Sequence, residues 1–149
     1  MSGRRVAVKS DGEIPLEAMI KDGVRDRPDV SALASLDKNK MYVLIWHYHD
    51  DDVPGPDAAV EIKLSGFPVR LGGIAMREYR IDANNSNAFT TWKKMGSPQC
   101  PSPLQIAELE KVGRLAELGK TRGITVSLSS ASVGVTLPRQ AVSLLVFEW

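Results

Sequence analysis

Cysteine is almost absent: Cys100 is the only one in 149 residues, so the chain cannot close a disulfide on itself. Flanked by Gln99 and Pro101, with no second thiol or nearby histidine, it makes no zinc site and reads as an incidental loop thiol. Long apolar runs are missing too; nothing approaches the roughly 18 consecutive apolar residues of a membrane helix, and Met1 to Ser10 has no apolar core of a secretory signal. No membrane partner is expected, although in a chain cut from a longer one the second absence says nothing of export. Charge of one sign is not in excess, with 19 Lys and Arg against 18 Asp and Glu. Without a broad basic field, nucleic acid is not an expected partner. The sequence also lacks a G-x-S-x-G elbow, a Cys with a plausible His partner and a glycine-rich phosphate loop, the Gly72-Gly73 pair being a turn. Nucleophilic catalysis and nucleotide chemistry therefore find no support.

What is present is an ordinary globular composition, 43% hydrophobic and 25% charged, in a chain of one-domain size that can bury about 68 to 70% of its unfolded surface. Strand signals dominate it. Val60, Ile62 and Leu64 alternate with Glu61 and Lys63 until Gly66 and Pro68 stop the pattern, which is the period of a half-buried strand. Met41 to Tyr48 is apolar throughout and suits a central strand. Arg5–Val8, Met76–Asp82, Ile124–Ser129, Val133–Leu137 and Ala141–Trp149 complete seven short candidates, a pattern expected of a mainly β sandwich or barrel in a single module. Ser102, Pro103 and Gln105 form a capping box with Pro at the first helical position, and Ile106, Leu109, Val112 and Leu115 follow on one face, with Gly119 placed to end the helix. A shorter helical turn is expected over Asn87–Met95, capped by Ser86 and closed by Gly96. The two make a helical insertion at about 87–118, whereas Asp22–Asp29 reads as an exposed loop.

Two polar clusters could carry chemistry. In the first, His47, Tyr48, His49, Asp50, Asp51 and Asp52 follow Trp46 and run into Val53, Pro54, Gly55 and Pro56. Strand alternation places His47 and His49 on one face, a spacing a metal could use. The favoured alternative is a strand end satisfied by its own turn, with the aspartates solvated or capping amides, so neither a metal nor a cofactor is expected. In the second, Tyr79–Asn87, a strand ends in an Asn-rich turn that caps the next helix; Asn84-Asn85-Ser86 also fits the N-x-S acceptor pattern. Trp46 and Trp92 sit in apolar patterns and are expected to pack in the core rather than stack on sugars.

Taken in order, Asp22–Leu36, Trp46–Pro56 (WHYHDDDVPGP), Tyr79–Asp82 with Ser86, Asn87 and Ala88, Trp92–Gln99 and Leu137–Leu145 resemble the C-terminal part of bacterial β-xylosidases of glycoside hydrolase family 39, which also includes α-L-iduronidases. The resemblance implies an antiparallel β-sandwich of jelly-roll type attached to an (α/β)-barrel that holds the active site, and a soluble bacterial protein of cytoplasm or periplasm. It implies retention of configuration by two glutamates, a pair that sits about 5 to 5.5 Å apart across the scissile bond. Glu13, Glu17, Glu61, Glu78, Glu108, Glu110, Glu117 and Glu148 include no Asn-Glu pair, the usual setting of the family's acid/base, and a barrel needs around 250 residues. No catalytic residue is assigned here.

The expectation is thus an accessory sandwich, inactive by itself, that packs against a glycosidase barrel in the same chain or in trans and directs the Trp46–Pro56 loop toward it or toward an oligosaccharide. The alternative, an autonomous carbohydrate-binding module, requires a row of exposed aromatics. In the family resembled, a segment preceding the barrel completes the sandwich; with nothing upstream of Met1 to do so, a free strand edge and self-association are expected.

Overall fold

The computed structural model describes residues 1–68 and 71–149. Eight strands and three helices follow in the order β1 (Arg4–Val6), α1 (Leu16–Asp22), β2 (Asp29–Asp37), β3 (Lys40–Tyr48), β4 (Ala58–Ser65), β5 (Gly73–Ile81), α2 (Ala88–Lys94), α3 (Pro103–Gly113), β6 (Arg122–Thr125), β7 (Ser130–Leu137) and β8 (Ala141–Glu148). Six strands form one antiparallel sheet in the order β1-β2-β3-β8-β5-β6, and β4 pairs with β7 in a second, two-stranded sheet. The fold is the expected mainly β sandwich.

Register fixes what each face carries. Across the large sheet Ala34 lies opposite Val43 and Val43 opposite Leu145, and because side chains alternate, these positions and their i±2 neighbours share the inner face. Met41, Ile45, Ile74, Met76 and Phe147 join them against Leu64 from β4 and Ala131, Val133, Val135 and Leu137 from β7. Leu145 and Phe147 are fully buried, and removing the Phe147 ring would cost about 3 to 5 kcal/mol. β3 and β8 lie in the middle of the large sheet, and over much of their length both strands are apolar on the outer face as well as the inner one.

The structure revises several expected boundaries. β2 and α1 were not anticipated. In Asp29–Asp37 (DVSALASLD) the alternating positions are Ala and Ser rather than β-branched residues, so the period is present with little hydrophobic contrast. α1 starts after Pro15 without a side-chain cap, the signal normally sought. The capping box of α3 forms as expected, with Ser102 Oγ accepting from the Gln105 amide and Gln105 Oε1 from the Ser102 amide. The helix nevertheless stops at Gly113, with Arg114 already extended, rather than at Gly119, because Glu117 bridges to Tyr79 and the Leu118 amide donates to the Glu78 carbonyl at the edge of β5. Asn87, not Ser86, caps α2, its side chain accepting from the Thr90 amide. Ser86, at φ 51°, instead accepts from the Ala116 amide. The first strand is shorter and earlier than Arg5–Val8, and Ile124–Ser129 divides into β6 and a turn that bridges Ser127 to Ser130.

Antiparallel pairing sends the ends of β3 and β5 and the starts of β2, β4 and β8 to one pole of the sandwich. The loop after β3 and the insertion carrying α2 and α3 therefore leave the sandwich together, beside α1. None of the three helices contains a buried residue.

Candidate functional site

Inner-face alternation continues to the end of β3 and buries His47 and His49, which are 2% and 6% exposed. They share a face, as expected, but backbone groups occupy their rings. His47 Nδ1 donates to the Leu137 carbonyl at 3.0 Å. His49 Nε2 donates to the Arg25 carbonyl at 2.8 Å, and Nδ1 accepts from the Asp51 amide at 3.0 Å. One neutral tautomer satisfies both His49 contacts. Gln140, in the β7–β8 turn at φ 62°, clasps the same segment: its backbone amide donates to the His47 carbonyl at 2.8 Å, and its side chain donates to the His49 carbonyl at 2.6 Å.

The aspartates divide by position. Asp50 turns back on the α1–β2 loop, accepting from the Val24 amide at 2.8 Å while Arg25 Nε lies 3.7 Å away. That backbone hydrogen bond, helped by Tyr48, Arg25 and His49, holds its carboxyl below the ordinary value; in return, the hydrogen bond to Asp50 and its negative charge push the Tyr48 phenol up. A Cβ at Gly23 would run into Asp50, so the turn at φ 74° takes only glycine. Asp51 and Asp52 project into solvent. Further on, Gly55 lies against the Arg139 guanidinium so closely that a Cβ there would overlap it. The segment is thus a strand end tied down chiefly by the α1–β2 loop and the β7–β8 turn, and not by its own turn as expected from the sequence.

Two other polar groupings were not singled out by sequence. Asp29 is buried below Trp46, accepting from the indole Nε1 at 2.6 Å and from the Ile14 amide at 2.7 Å. On the inner face Arg80 pairs with Glu78; its Nε donates to Ser143 Oγ at 2.9 Å, and that hydroxyl donates to Glu78 Oε1 at 2.8 Å. Among the described residues Glu78 is the one buried glutamate, and it is committed to this ion pair. The i, i+2 spacing of Glu78 and Arg80 was the available signal; their partner lies 63 residues from Arg80 in sequence. In the Asn-rich turn Asp82 collects the amides of Asn84 and Asn85 at 2.7 and 2.8 Å, the expected structural role.

The tryptophans depart from expectation. Trp46 falls on the even, outward face of β3, half-buried, and Trp92 is half-buried in the helical insertion with its Nε1 donating to the Pro98 carbonyl. Neither joins the central core, since Trp46 faces away from the second sheet and Trp92 belongs to α2, outside the sandwich. Phe89 stacks on Trp92 at 5.7 Å, and Phe89 and Tyr48 are the exposed aromatics among the described residues.

Trp46 belongs to a larger feature. On the outer face of the large sheet, Leu33, Leu44, Leu144 and Tyr79 form one cross-strand row, and Ser31, Trp46, Val142 and Ile81 form the next. No layer of the sandwich lies over them; Leu33 is 37% and Ile81 48% exposed. Farther from the helical pole the face becomes charged, with Lys40, Arg77 and Glu148 in ion pairs. The outer face of the small sheet differs, carrying Ala59, Glu61, Lys63 and Ser65 opposite Thr136, Gly134, Ser132 and Ser130.

The family model for glycosyl hydrolases family 39 matches residues 19–122, well over half of the chain. The chain belongs to that family. Solved structures agree with it in fold. A family 39 enzyme from Xanthomonas axonopodis pv. citri superposes with a TM-score of 0.62 at 19% identity, over 84% of this chain and 28% of its own. A bacterial orthologue of human α-L-iduronidase gives 0.63 at 20% identity, over 81% and 22%. A monomeric β-xylosidase from Caulobacter crescentus CB15 gives 0.54 at 20% identity, over 78% and 26%. This family 39 chain spans about a quarter of the length of these relatives. A comparison with curated protein sequences returns no match.

Proposed function

We propose that this family 39 chain is an accessory, non-catalytic sandwich that packs through the outer face of its large sheet against a catalytic barrel acting on xylose-containing oligosaccharides. The observation that carries the reading is the contrast between the two outer faces. The small sheet presents small and charged side chains to water, as a solvated face does. The large sheet presents two adjacent rows built from Leu33, Leu44, Leu144, Tyr79, Trp46, Val142 and Ile81, the composition of a covered surface. α1 stands at the same pole with Leu16 and Ile20 at 70% and 77% exposure.

The chemistry supports an accessory role. Retaining hydrolysis needs two carboxyl groups about 5 to 5.5 Å apart, one of them free to give and take a proton; the buried Glu78 is engaged by Arg80 and Ser143. Incubation of the purified chain with aryl β-xylosides and xylo-oligosaccharides tests this, with no turnover expected. Hydrolysis that co-purifies with the chain and scales with its concentration would refute the non-catalytic role.

A further inference from the structure

The free edge of β4 lies on the sheet opposite the proposed docking face. Among the described residues β4 has a single neighbour, β7, and no backbone hydrogen bond reaches its other edge. The strand is eight residues long, without proline or bulge, so three of the devices that protect an edge, shortness, proline and a bulge, are missing. Its one guarding side chain of the common type, Lys63, is accompanied two residues earlier by Glu61. A two-stranded sheet is also marginal in itself and gains from added strands.

We propose that β4 is a self-complementary edge at which a second copy of this chain pairs antiparallel about a two-fold axis through Ile62. The register follows from the side chains. When a strand pairs with its own copy, keeping Val60, Ile62 and Leu64 on the apolar face of both copies requires the axis to pass through a residue, because a half-step would set apolar positions opposite polar ones. An axis at Glu61 sets two glutamates against each other, and an axis at Lys63 sets two lysines. An axis at Ile62 sets Glu61 opposite Lys63 of the copy, twice by symmetry, with Val60 opposite Leu64 and Ala59 opposite Ser65. That register pairs Ala59–Ser65 of one copy with the same seven residues of the other, all of β4 except Ala58. The pair joins the two small sheets into one of four strands, β7-β4-β4-β7, with an isologous interface. The outer face of the large sheet remains available to its own partner, so this inference stands independently of the proposed function.

Charge exchange tests it on the intact chain. Both side chains are well exposed, 61% for Glu61 and 77% for Lys63, so substitutions there leave the monomer folded, as circular dichroism would verify. Sedimentation equilibrium over a concentration series is expected to show a monomer–dimer equilibrium for the native chain. Glu61→Lys and Lys63→Glu each put two like-charge pairs across the axis and should weaken it roughly tenfold. Their equimolar mixture restores both attractive pairs and should associate as the native chain does, as should the doubly exchanged chain carrying Glu61→Lys with Lys63→Glu. A strict monomer at every concentration would overturn the proposal. So would a dimer that ignores these exchanges, or one that Leu44→Lys abolishes while they leave it unchanged.

Discussion

His49 shows how much of this structure rests on single side chains that hold backbone rather than perform chemistry. Its ring joins the Arg25 carbonyl to the Asp51 amide and so fixes the α1–β2 loop against the segment after β3. Replacing it with alanine removes both part-buried hydrogen bonds, each worth about 0.5 to 1.5 kcal/mol, and should destabilise the fold by about 1 to 3 kcal/mol in urea denaturation. Asp50 acts beside it with a pH signature. Because its carboxyl is held below the ordinary value by the Val24 amide, the native state binds the proton less readily than the unfolded chain. The stabilisation is complete above the unfolded value, near pH 4, and is lost as pH falls through the lowered native one. Asp50→Asn should flatten that part of the acid limb of a stability–pH profile and leave the neutral range with a pH-independent change. The sequence identified these residues as a polar cluster and favoured a structural role for them. It could not name their partners, because Arg25, Leu137 and Gln140 come from segments distant along the chain, and only the fold brings them together.

Elements were legible where a local signal coincided with burial. β3, β4, β7 and β8 are recognisable because their side chains alternate sharply or are apolar throughout, and the α3 start because a capping box is a signal within four residues. β2 escaped notice because Ala and Ser fill positions where packing demands small size rather than strong hydrophobicity. The end of α3 was misplaced because a strand edge, not a glycine, terminates the helix. α3 also gives an element-level prediction. With no residue buried, its stability is local, and removing the cap with Ser102→Ala should cost about 1 kcal/mol. That loss should appear as faster amide exchange in Leu104–Gly113, with the global unfolding midpoint nearly unchanged. A fall in the midpoint as large as that for a core truncation would mean that the helix is integral to the sandwich.

At the scale of the molecule the sandwich is polarised. One pole collects the helices, the Trp46–Pro56 loop and the apolar end of the large sheet; the other carries tight turns and the Lys40–Glu148–Arg77 ion pairs. Family membership and fold were both accessible from sequence, the first through motifs such as WHYHDDDVPGP and the second through strand periodicity. The asymmetry of the outer faces was not, since it depends on which strands are neighbours and in what register. That asymmetry is the basis for the accessory role we propose, and photo-crosslinking probes it most directly. A benzophenone amino acid placed at Leu44 or Ile81 in the natural gene product, expressed in its own cells, should on irradiation yield peptides joined to the helical outer layer of a family 39 catalytic barrel, with Lys63 as a control that does not. Failure to capture barrel peptides from Leu44 and Ile81, with efficient capture of those peptides from Lys63, would contradict the account.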